Sequence, residues 1–373
     1  MKFKLGFAQK DTWEHNARID HPFKRNSVII HHYCPHTYNA GDHFVIHSIR
    51  KHIKKHLPQA VFIPRSIAVN RGWGAPHRLQ GPNIAFSNRY ADAVLVGGSD
   101  NYRNWSLRID GEEIQHLRPP LFLIGLGISS NNLNEAPLIQ KEKYMDDIRS
   151  TNEKAALSTV RDQATWDFLT GFGVDKAIMT GCPALYLGEV DTFEFRENGP
   201  LLLTFPFPVN KKKMPERFKM LQKVIHEIAR KYEHVILSCH DDRDVGPATE
   251  LFPDLAVFFS NNWNDYVDLY GKARMVVGSR LHGTILAASL GTPFLNINVD
   301  IRGQSFDGTF GLENWNLDYT TPNLSDQIID KIERVCKGEL AVFDAFQLRK
   351  NQLAPVFHQS MEAVARTILA RIG

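Results

Sequence analysis

The sequence predicts an α/β protein built from two Rossmann-like domains with a cleft between them, followed by a C-terminal helical tail. Short apolar runs alternate with amphipathic stretches along the whole chain, which is the pattern of a mostly parallel sheet flanked by helices. At 373 residues the chain is longer than a single hydrophobic core usually serves. The polar stretch 188–200 interrupts the alternation, which restarts after it.

That interruption sets the predicted domain boundaries. We place an N-terminal α/β domain at residues 1–190, a C-terminal α/β domain at 198–341 and the helical tail at 342–373. In the first domain, strands are predicted at 27–31, 93–97, 121–125, 156–160 and 177–180. In the second domain they are predicted at 201–205, 235–238, 255–258, 274–277 and 293–297.

Helices are predicted where apolar residues recur with the helical period. Ile46, Ile49 and Ile53 fall on one face of a helix at 42–57. Pro355 is expected to kink or interrupt the helical tail, because proline removes a backbone hydrogen bond and crowds the preceding turn. The other predicted helices are 163–170, 215–232, 264–271 and 281–290.

Composition argues against several classes of protein. The formal net charge of +3 is small for this length, so we expect no nucleic-acid partner. Four scattered cysteines favour reduced thiols in the cytoplasm over a disulfide framework or a zinc site. No apolar run is long enough for an integral membrane segment. We expect a cytoplasmic protein; peripheral attachment at the inner face of the membrane and homo-oligomer formation stay open.

The strongest candidate site is the run Ser-Arg-Leu-His-Gly-Thr that begins at Ser279, directly after a predicted strand. Ligands of open parallel sheets bind beyond the carboxyl ends of the strands. Ser279 is expected to cap a helix whose N-terminus binds an anion, and Arg280 offers a guanidinium fork for a carboxylate or phosphate. Histidine titrates near neutrality, so His282 is a candidate proton shuttle. Gly283 would let a ligand approach the backbone, with Thr284 beside it.

Three other strand ends carry weaker signals. Asn39, Gly41 and Asp42 follow the first strand, where they either hold sugar hydroxyls or cap a helix. Arg161 ends another strand and is either a second anion clamp or the structural partner of Asp162. A turn with two glycines leaves backbone amides open to a ligand, and its candidate binding residues are Gly98, Ser99, Asp100 and Asn101.

The residues themselves disfavour two other kinds of site. A dinucleotide-binding fingerprint fails at Ile128, where a further glycine would be required. Seven histidines between His31 and His56 suggest a metal-dependent hydrolase, but they match no zinc-protease pattern, and we expect them at the surface. The acidic run that begins at His240 is expected to be a solvated loop.

Together these motifs resemble the polysaccharide pyruvyl transferase family over about residues 27–311. This sequence departs from the family pattern at Ser99, where many members have glycine, and at Cys182, where many have aspartate. Arg302 stands where the family often has lysine. The motifs that carry the resemblance are Asn39-x-Gly41-Asp42, Gly97-Gly98, Gly125-x-Gly127, Val160-Arg161-Asp162, Gly181-Cys182-Pro183 and Ser279-Arg280-Leu281-His282-Gly283.

The resemblance implies a GT-B-like fold and a transfer that needs no cofactor. A pyruvyl group would move from phosphoenolpyruvate to two hydroxyls of a sugar in a cell-surface or exopolysaccharide glycan, giving a ketal. Arg161, Arg280 and His282 would face phosphoenolpyruvate, whereas Asn39, Asp42 and the 98–101 turn would lie on the acceptor side; Arg302 is a further predicted substrate ligand. Whether the acceptor is lipid-linked, polymeric or free stays open. A nucleotide-sugar-dependent GT-B glycosyltransferase and a non-catalytic glycan-binding family member remain alternatives.

Overall fold

Two six-stranded parallel sheets organise the chain, for which a computed structural model describes residues 27–35, 39–66, 79, 81–98, 102, 109–130, 133, 142–206 and 215–372. The first sheet contains β1 (Val28–Cys34), β2 (Ala60–Ser66), β3 (Ala93–Gly97), β4 (Leu121–Leu126), β5 (Leu157–Val160) and β6 (Ile178–Met179). Its strand order is β2-β1-β3-β4-β5-β6. The helices of this half are α1 (Ala40–His56), α2 (Gly81–Tyr90), α3 (Glu142–Lys154) and α4 (Gln163–Thr170).

The second sheet repeats this arrangement with another strand order. Its strands are β7 (Leu201–Thr204), β8 (Val235–Ser238), β9 (Ala256–Phe258), β10 (Met275–Gly278), β11 (Phe294–Asn298) and β12 (Leu317–Asp318). They lie in the order β12-β11-β10-β7-β8-β9. The helices are α5 (Pro215–Lys231), α6 (Asp242–Leu251), α7 (Trp263–Lys272), α8 (Leu281–Ser289), α9 (Ile301–Phe310), α10 (Leu324–Cys336) and, last, α11 (Asp344–Ile372).

The central strands confirm the predicted fold class. β3, β4, β7, β10 and β11 are buried along their whole length. Parallel strands covered on both faces appear in a sequence as continuous apolar runs, so the sequence located all five to within a residue of the observed bounds. The two parallel-sheet halves and the long C-terminal helix agree with the prediction.

Each sheet has a point at which the strand order reverses. In the first sheet it lies between β1 and β3, and in the second between β7 and β10. Chains of this kind bind ligands outside the carboxyl ends of the strands at such a point. In the second sheet the two strands that flank it end at Thr204 and Gly278. The Ser-Arg-Leu-His-Gly run therefore begins at the switch point.

Two strands, β2 and the two-residue β12, were not predicted, and for β2 the reason is physical. β2 contains Pro64, which pairs in register with His32 of β1. Proline cannot donate to a sheet ladder, so it argues against a central strand, but it is tolerated at an edge. β2 is the edge strand of the first sheet, and Pro64 is accommodated there.

The C-terminal helix packs against both halves. Near its start, Phe346 contacts Phe294 of the second sheet, with ring centroids 5.6 Å apart. Further along, Phe357 stacks on Tyr186 at 4.4 Å, on the side of the first sheet. The helix continues through Pro355, so of the two expected effects of this proline the interruption does not occur, and the kink stays a prediction. In the part of the chain that the structure describes, no helix has the length and apolar character needed to cross a membrane.

Candidate functional site

The turn between β10 and α8 is fixed by the end of the neighbouring strand. The Thr204 carbonyl accepts hydrogen bonds from the amides of Ser279, at 3.0 Å, and Arg280, at 3.1 Å. The helix begins at Leu281, with Arg280 in the N-cap position and no side-chain cap. The expected capping role of Ser279 is therefore wrong, because its amide is held one residue before the cap. Its buried hydroxyl has no hydrogen-bond partner among the described residues.

Gly278 and Gly283 are needed for packing on β7. A Cβ atom on Gly278 would lie 2.0 Å from the Thr204 carbonyl oxygen. One on Gly283 would lie 2.8 Å from Thr204 Cγ2 and 3.1 Å from His240 Cε1. Real Cβ atoms rarely come this close to another heavy atom, so the first turn of α8 sits directly on Thr204 and His240. The ligand approach predicted for Gly283 remains a prediction.

Arg280 is held by an acidic residue that lies outside the predicted motifs. Its Nη2 atom donates to Oδ2 of Asp244, in the first turn of α6. The Asp244 side chain is 0% exposed and that of Arg280 is 20% exposed. A buried carboxylate is costly unless it is paired, so this arginine neutralises Asp244. An anion-binding role would use the remaining donors of the guanidinium.

His282 lies against the first helix of the other half. A Cβ atom on Gly41 would be 2.7 Å from His282 Cβ and 2.8 Å from its Nδ1. Asn39 caps α1, its Oδ1 accepting from the Gly41 amide at 3.0 Å, and Asp42 lies in the first turn. Asn39 and Asp42, which are predicted on the acceptor side, therefore flank a glycine that lies against the predicted proton shuttle.

His240 is a buried member of this site rather than part of a solvated loop. Its side chain is 1% exposed, and its Nε2 atom lies 2.8 Å from the Tyr270 hydroxyl. Burial, with Arg280 and His282 nearby, holds the pKa of His240 well below its usual value, so the ring is neutral. Asp241, which follows it, caps α6 through the Arg243 amide. The sequence predicts a solvated loop here because the residues that bury His240 are distant from it in the sequence.

Arg161 forms the structural pair that was one of its two predicted roles. Its Nε donates to Asp162 Oδ2 at 3.0 Å and its Nη2 to the Ile128 carbonyl at 2.9 Å. Both side chains of the ion pair are 5% exposed. Asp162 also caps α4, accepting from the Thr165 amide at 2.9 Å. A Cβ atom on Gly127 would lie 2.2 Å from Arg161 Nε, so the guanidinium packs on the bare backbone there.

The predicted glycine turn is described only in part. Gly98 has a φ of 102°, a conformation that glycine adopts at little cost. A Cβ atom there would lie 2.9 Å from Ile46 Cγ1 of α1, so the position is also crowded. Ser99, Asp100 and Asn101 lie outside the described residues.

Thr284, another predicted ligand, connects α8 to a buried network of side-chain amides. Thr284 Oγ1 lies 3.3 Å from Asn296 Oδ1, and Asn296 Nδ2 donates to Asn298 at 2.5 Å. The network ends at Asp307, whose carboxylate accepts from the side-chain amides of Asn298 and Asn316. Burial raises the pKa of Asp307 to about 7. The network lies at the carboxyl end of β11, which is the strand beside the Ser-Arg-Leu-His-Gly turn.

Arg302 pairs with its neighbour at the start of α9. Its Nε donates to Asp300 Oδ1 at 2.9 Å, and its Nη2 donates to Oδ2 at 2.5 Å. Asp300 also caps α9 through the Arg302 amide. This arginine side chain is 35% exposed. Like Arg280 and Arg161, it is balanced by a nearby aspartate.

Several histidines of the 31–56 stretch are buried, contrary to the surface position expected for them. His31 is 1% exposed and lies 3.0 Å from Ser87 Oγ through its Nδ1 atom. His32 accepts from Arg50 Nε at 3.1 Å, and His52 contacts the Ser48 carbonyl at 2.8 Å. Burial lowers the pKa of each of these three rings. The described residues include no group of three or more His, Cys, Asp or Glu placed to hold a metal ion.

Solved structures with this fold share little sequence with the chain. A putative UDP-N-acetylglucosamine 2-epimerase from Listeria monocytogenes superposes with a TM-score of 0.57 at 12% identity, over 92% of this chain and 95% of that one. The UDP-GlcNAc 2-epimerase from Neisseria meningitidis, bound to UDP-GlcNAc, gives 0.53 at 14% identity, over 92% and 100%. The wall teichoic acid polymerase TagF gives 0.54 at 11%, over 94% and 89%. These likenesses show a GT-B-like fold.

The sequence comparisons give a more specific result. None of the curated proteins compared with the chain matches its sequence. A family model described as polysaccharide pyruvyl transferase matches residues 39–301, well over half of the 373 residues. The match begins at the N-cap of α1, ends in the first turn of α9 and contains the whole β10–α8 turn. The chain therefore belongs to the polysaccharide pyruvyl transferase family.

Proposed function

We propose that the protein transfers a pyruvyl group from phosphoenolpyruvate to two hydroxyls of a sugar in a cell-surface or exopolysaccharide glycan, forming a pyruvate ketal. The observation that carries this proposal is the position of Arg280 and His282 at the switch point of the second sheet, where His282 lies against the N-terminus of α1. A site between two α/β halves suits a reaction that joins two substrates. The family match supports pyruvyl transfer.

Arg280 and the N-terminus of α8 are the proposed ligands of the donor. Arginine has five N–H donors, and Asp244 engages Nη2. The buried Nε atom has no hydrogen-bond partner in the described part of the chain. The positive end of the helix dipole adds to the attraction for a carboxylate or phosphate. Ser279, Gly283 and Thr284 line the same turn.

His282 is the proposed proton donor. It protonates the methylene carbon of phosphoenolpyruvate, which leaves an oxocarbenium-like centre at C2. One sugar hydroxyl adds to C2, the C2–O bond to phosphate breaks, and the second hydroxyl closes the ring. The two hydroxyl protons balance one proton gained by the methyl group and one by phosphate. One inorganic phosphate is released for each ketal, and no cofactor is required.

The acceptor is assigned to the first half of the molecule. Asn39 and Asp42 flank Gly41, whose backbone lies against His282, and Gly98 opens the turn at the end of β3. In this proposal they bind the sugar, with Ser99, Asp100 and Asn101 as further predicted ligands. The acceptor is a lipid-linked or polymeric glycan, and the reaction takes place in the cytoplasm or at the inner face of the membrane. Arg302 remains a predicted ligand, whereas the hydrogen bonds of Arg161 to Asp162 and Ile128 favour a structural role for that arginine.

A phosphate-release assay tests the proposal. The protein is incubated with phosphoenolpyruvate and a panel of glycan acceptors, and phosphate and the pyruvylated product are both measured. We expect one phosphate per ketal with at least one acceptor, and no release without an acceptor. Thermal shifts with UDP-, GDP- and CMP-sugars provide the comparison. Stabilisation by a nucleotide sugar and not by phosphoenolpyruvate would favour a glycosyltransferase, and glycan binding without phosphate release would favour a non-catalytic member.

A further inference from the structure

We propose that the N-terminus of α1, docked on the His240 carbonyl, positions the imidazole of His282, and that Gly41 and His240 are positioning residues. The assignment of a chemical role to His282 rests on the proposed function. The geometry that would position the ring is independent of it. The sequence alone suggested a ligand-binding role for Gly41, whereas the structure gives it a contact with a side chain of the other half.

Gly41 fits against His282 and leaves no room for a side chain. A Cβ atom there would lie 2.7, 2.8 and 3.0 Å from His282 Cβ, Nδ1 and Cγ. All three atoms belong to the same residue, so the imidazole lies against the bare backbone of the helix. Gly41 is in the first turn of α1 and does not have a positive φ, so a special backbone conformation is not the reason for glycine here.

The helix that carries Gly41 is placed by a bond to the other half. The Ala40 amide donates to the His240 carbonyl at 2.7 Å. Ala40 is the first residue of α1, where an amide has no partner within the helix. One turn later, Phe44 meets the His240 ring edge to face, with centroids 5.6 Å apart. His240 therefore fixes both the position and the orientation of the first turn of α1 relative to the second half.

The His240 ring is in turn anchored to the second sheet. Its Nε2 atom lies 2.8 Å from the Tyr270 hydroxyl, which donates to Ser238 Oγ at 3.0 Å. The ring also lies beneath Gly283, next to His282 in the first turn of α8. His240 thus supports the turn that carries His282 and also binds the N-terminus of α1, the helix that packs against the His282 ring. A proton donor needs this kind of fixed placement, since an error near 1 Å can cost about 100-fold in rate.

The test compares Gly41→Ala with Gly271→Ala and Gly246→Ala. A Cβ atom at either control position meets nothing within 4 Å, and both glycines lie inside helices of the second half. We expect Gly41→Ala to lower kcat at least 30-fold while the KM for phosphoenolpyruvate changes less than threefold, following the cost of misplacement. Both controls should keep wild-type kcat and KM. A raised KM with unchanged kcat would overturn the proposal and assign Gly41 to ligand binding.

A second variant removes the docking bond itself. Ala40→Pro deletes the amide donor and places a methylene in front of the His240 carbonyl. Proline is favoured at the first position of a helix, and Asn39 already has the extended backbone that precedes proline well. We expect the same selective loss of kcat as for Gly41→Ala. Wild-type kcat in Ala40→Pro would overturn the docking role.

A spectroscopic readout separates this proposal from the proposed function. The imidazole resonances of His282, assigned by their loss in His282→Gln, are compared between wild type and Gly41→Ala. We expect the His282 imidazole resonances to shift in Gly41→Ala and to keep their wild-type positions in Gly271→Ala. Unchanged resonances in Gly41→Ala would overturn the positioning role. If the wild type releases no phosphate with any acceptor, the proposed function fails, and these resonances still decide whether Gly41 positions the ring.

Discussion

Arg280 forms an ion pair with Asp244, whose carboxylate is completely buried 36 residues earlier in the chain. The arginine of the Ser-Arg-Leu-His-Gly turn thus stabilises the fold as well as facing the site. Truncating it would leave an uncompensated buried charge, which typically costs about 3–5 kcal/mol. An alanine variant would therefore confuse lost donor binding with lost stability.

Arg280→Lys separates these two effects. Lysine keeps the positive charge for Asp244 but lacks the planar fork that suits a carboxylate or phosphate. We expect the variant to fold and the KM for phosphoenolpyruvate to rise roughly tenfold, the loss of about one charge-assisted hydrogen bond. Steady-state kinetics measure it, with the exposed Arg366→Lys as the control. A wild-type KM would count against Arg280 as a donor ligand.

His282→Ala should affect turnover far more than donor binding. A positioned general acid typically contributes about 10²–10⁴ in rate, while the phosphate and carboxylate are held by other groups in our proposal. We expect kcat to fall by roughly that factor and the dissociation constant of phosphoenolpyruvate to change little. Phosphate release and calorimetric binding measure the two quantities. His226→Ala, an exposed histidine on α5, is the matched control, and unchanged turnover in His282→Ala would remove it from the mechanism.

The parts of the site that the sequence could predict are local ones. An apolar strand, a polar turn and an apolar helix are contiguous around His282, so their order is readable from the chain. The partners of this turn are not contiguous: Asp244, His240 and Gly41 reach it only through tertiary packing. Nothing in the sequence around Asp244 indicates that its carboxylate will be buried against Arg280. Gly41 is a glycine because of a histidine 241 positions away, which spacing alone cannot reveal.

Asp307 should make folding stability depend on pH. Burial raises its folded-state pKa to about 7, whereas an unfolded aspartate titrates near 3.9. Between those values the folded protein binds more protons than the unfolded chain, so this contribution falls as pH rises and is lost above about pH 7. Asp307→Asn removes the titration. We expect the stability of wild type minus that of Asp307→Asn to fall by about 2–3 kcal/mol from pH 5 to pH 8, measured by urea unfolding.

The comparison with the variant is essential because other groups titrate in the opposite sense. Burial lowers the pKa of His31, His47 and His52 to about 4, so their contribution to stability increases as pH rises toward the unfolded value of about 6.5. These contributions are common to wild type and Asp307→Asn, so they cancel in the difference. A difference that does not change between pH 5 and pH 8 would contradict the raised pKa of Asp307.

Arg161 presents a choice between a structural pair and a donor clamp, and a double variant decides it. Its guanidinium is buried on Asp162, so Arg161→Gln should cost about 3 kcal/mol in urea unfolding by leaving that carboxylate uncompensated. Arg161→Gln/Asp162→Asn carries no buried charge, and we expect it to regain at least half of the loss. Because Arg161 Nε and Nη2 are already bonded within the protein, the KM for phosphoenolpyruvate should change less than threefold in the double variant. A tenfold rise in that variant, with stability regained, would instead establish Arg161 as a donor ligand.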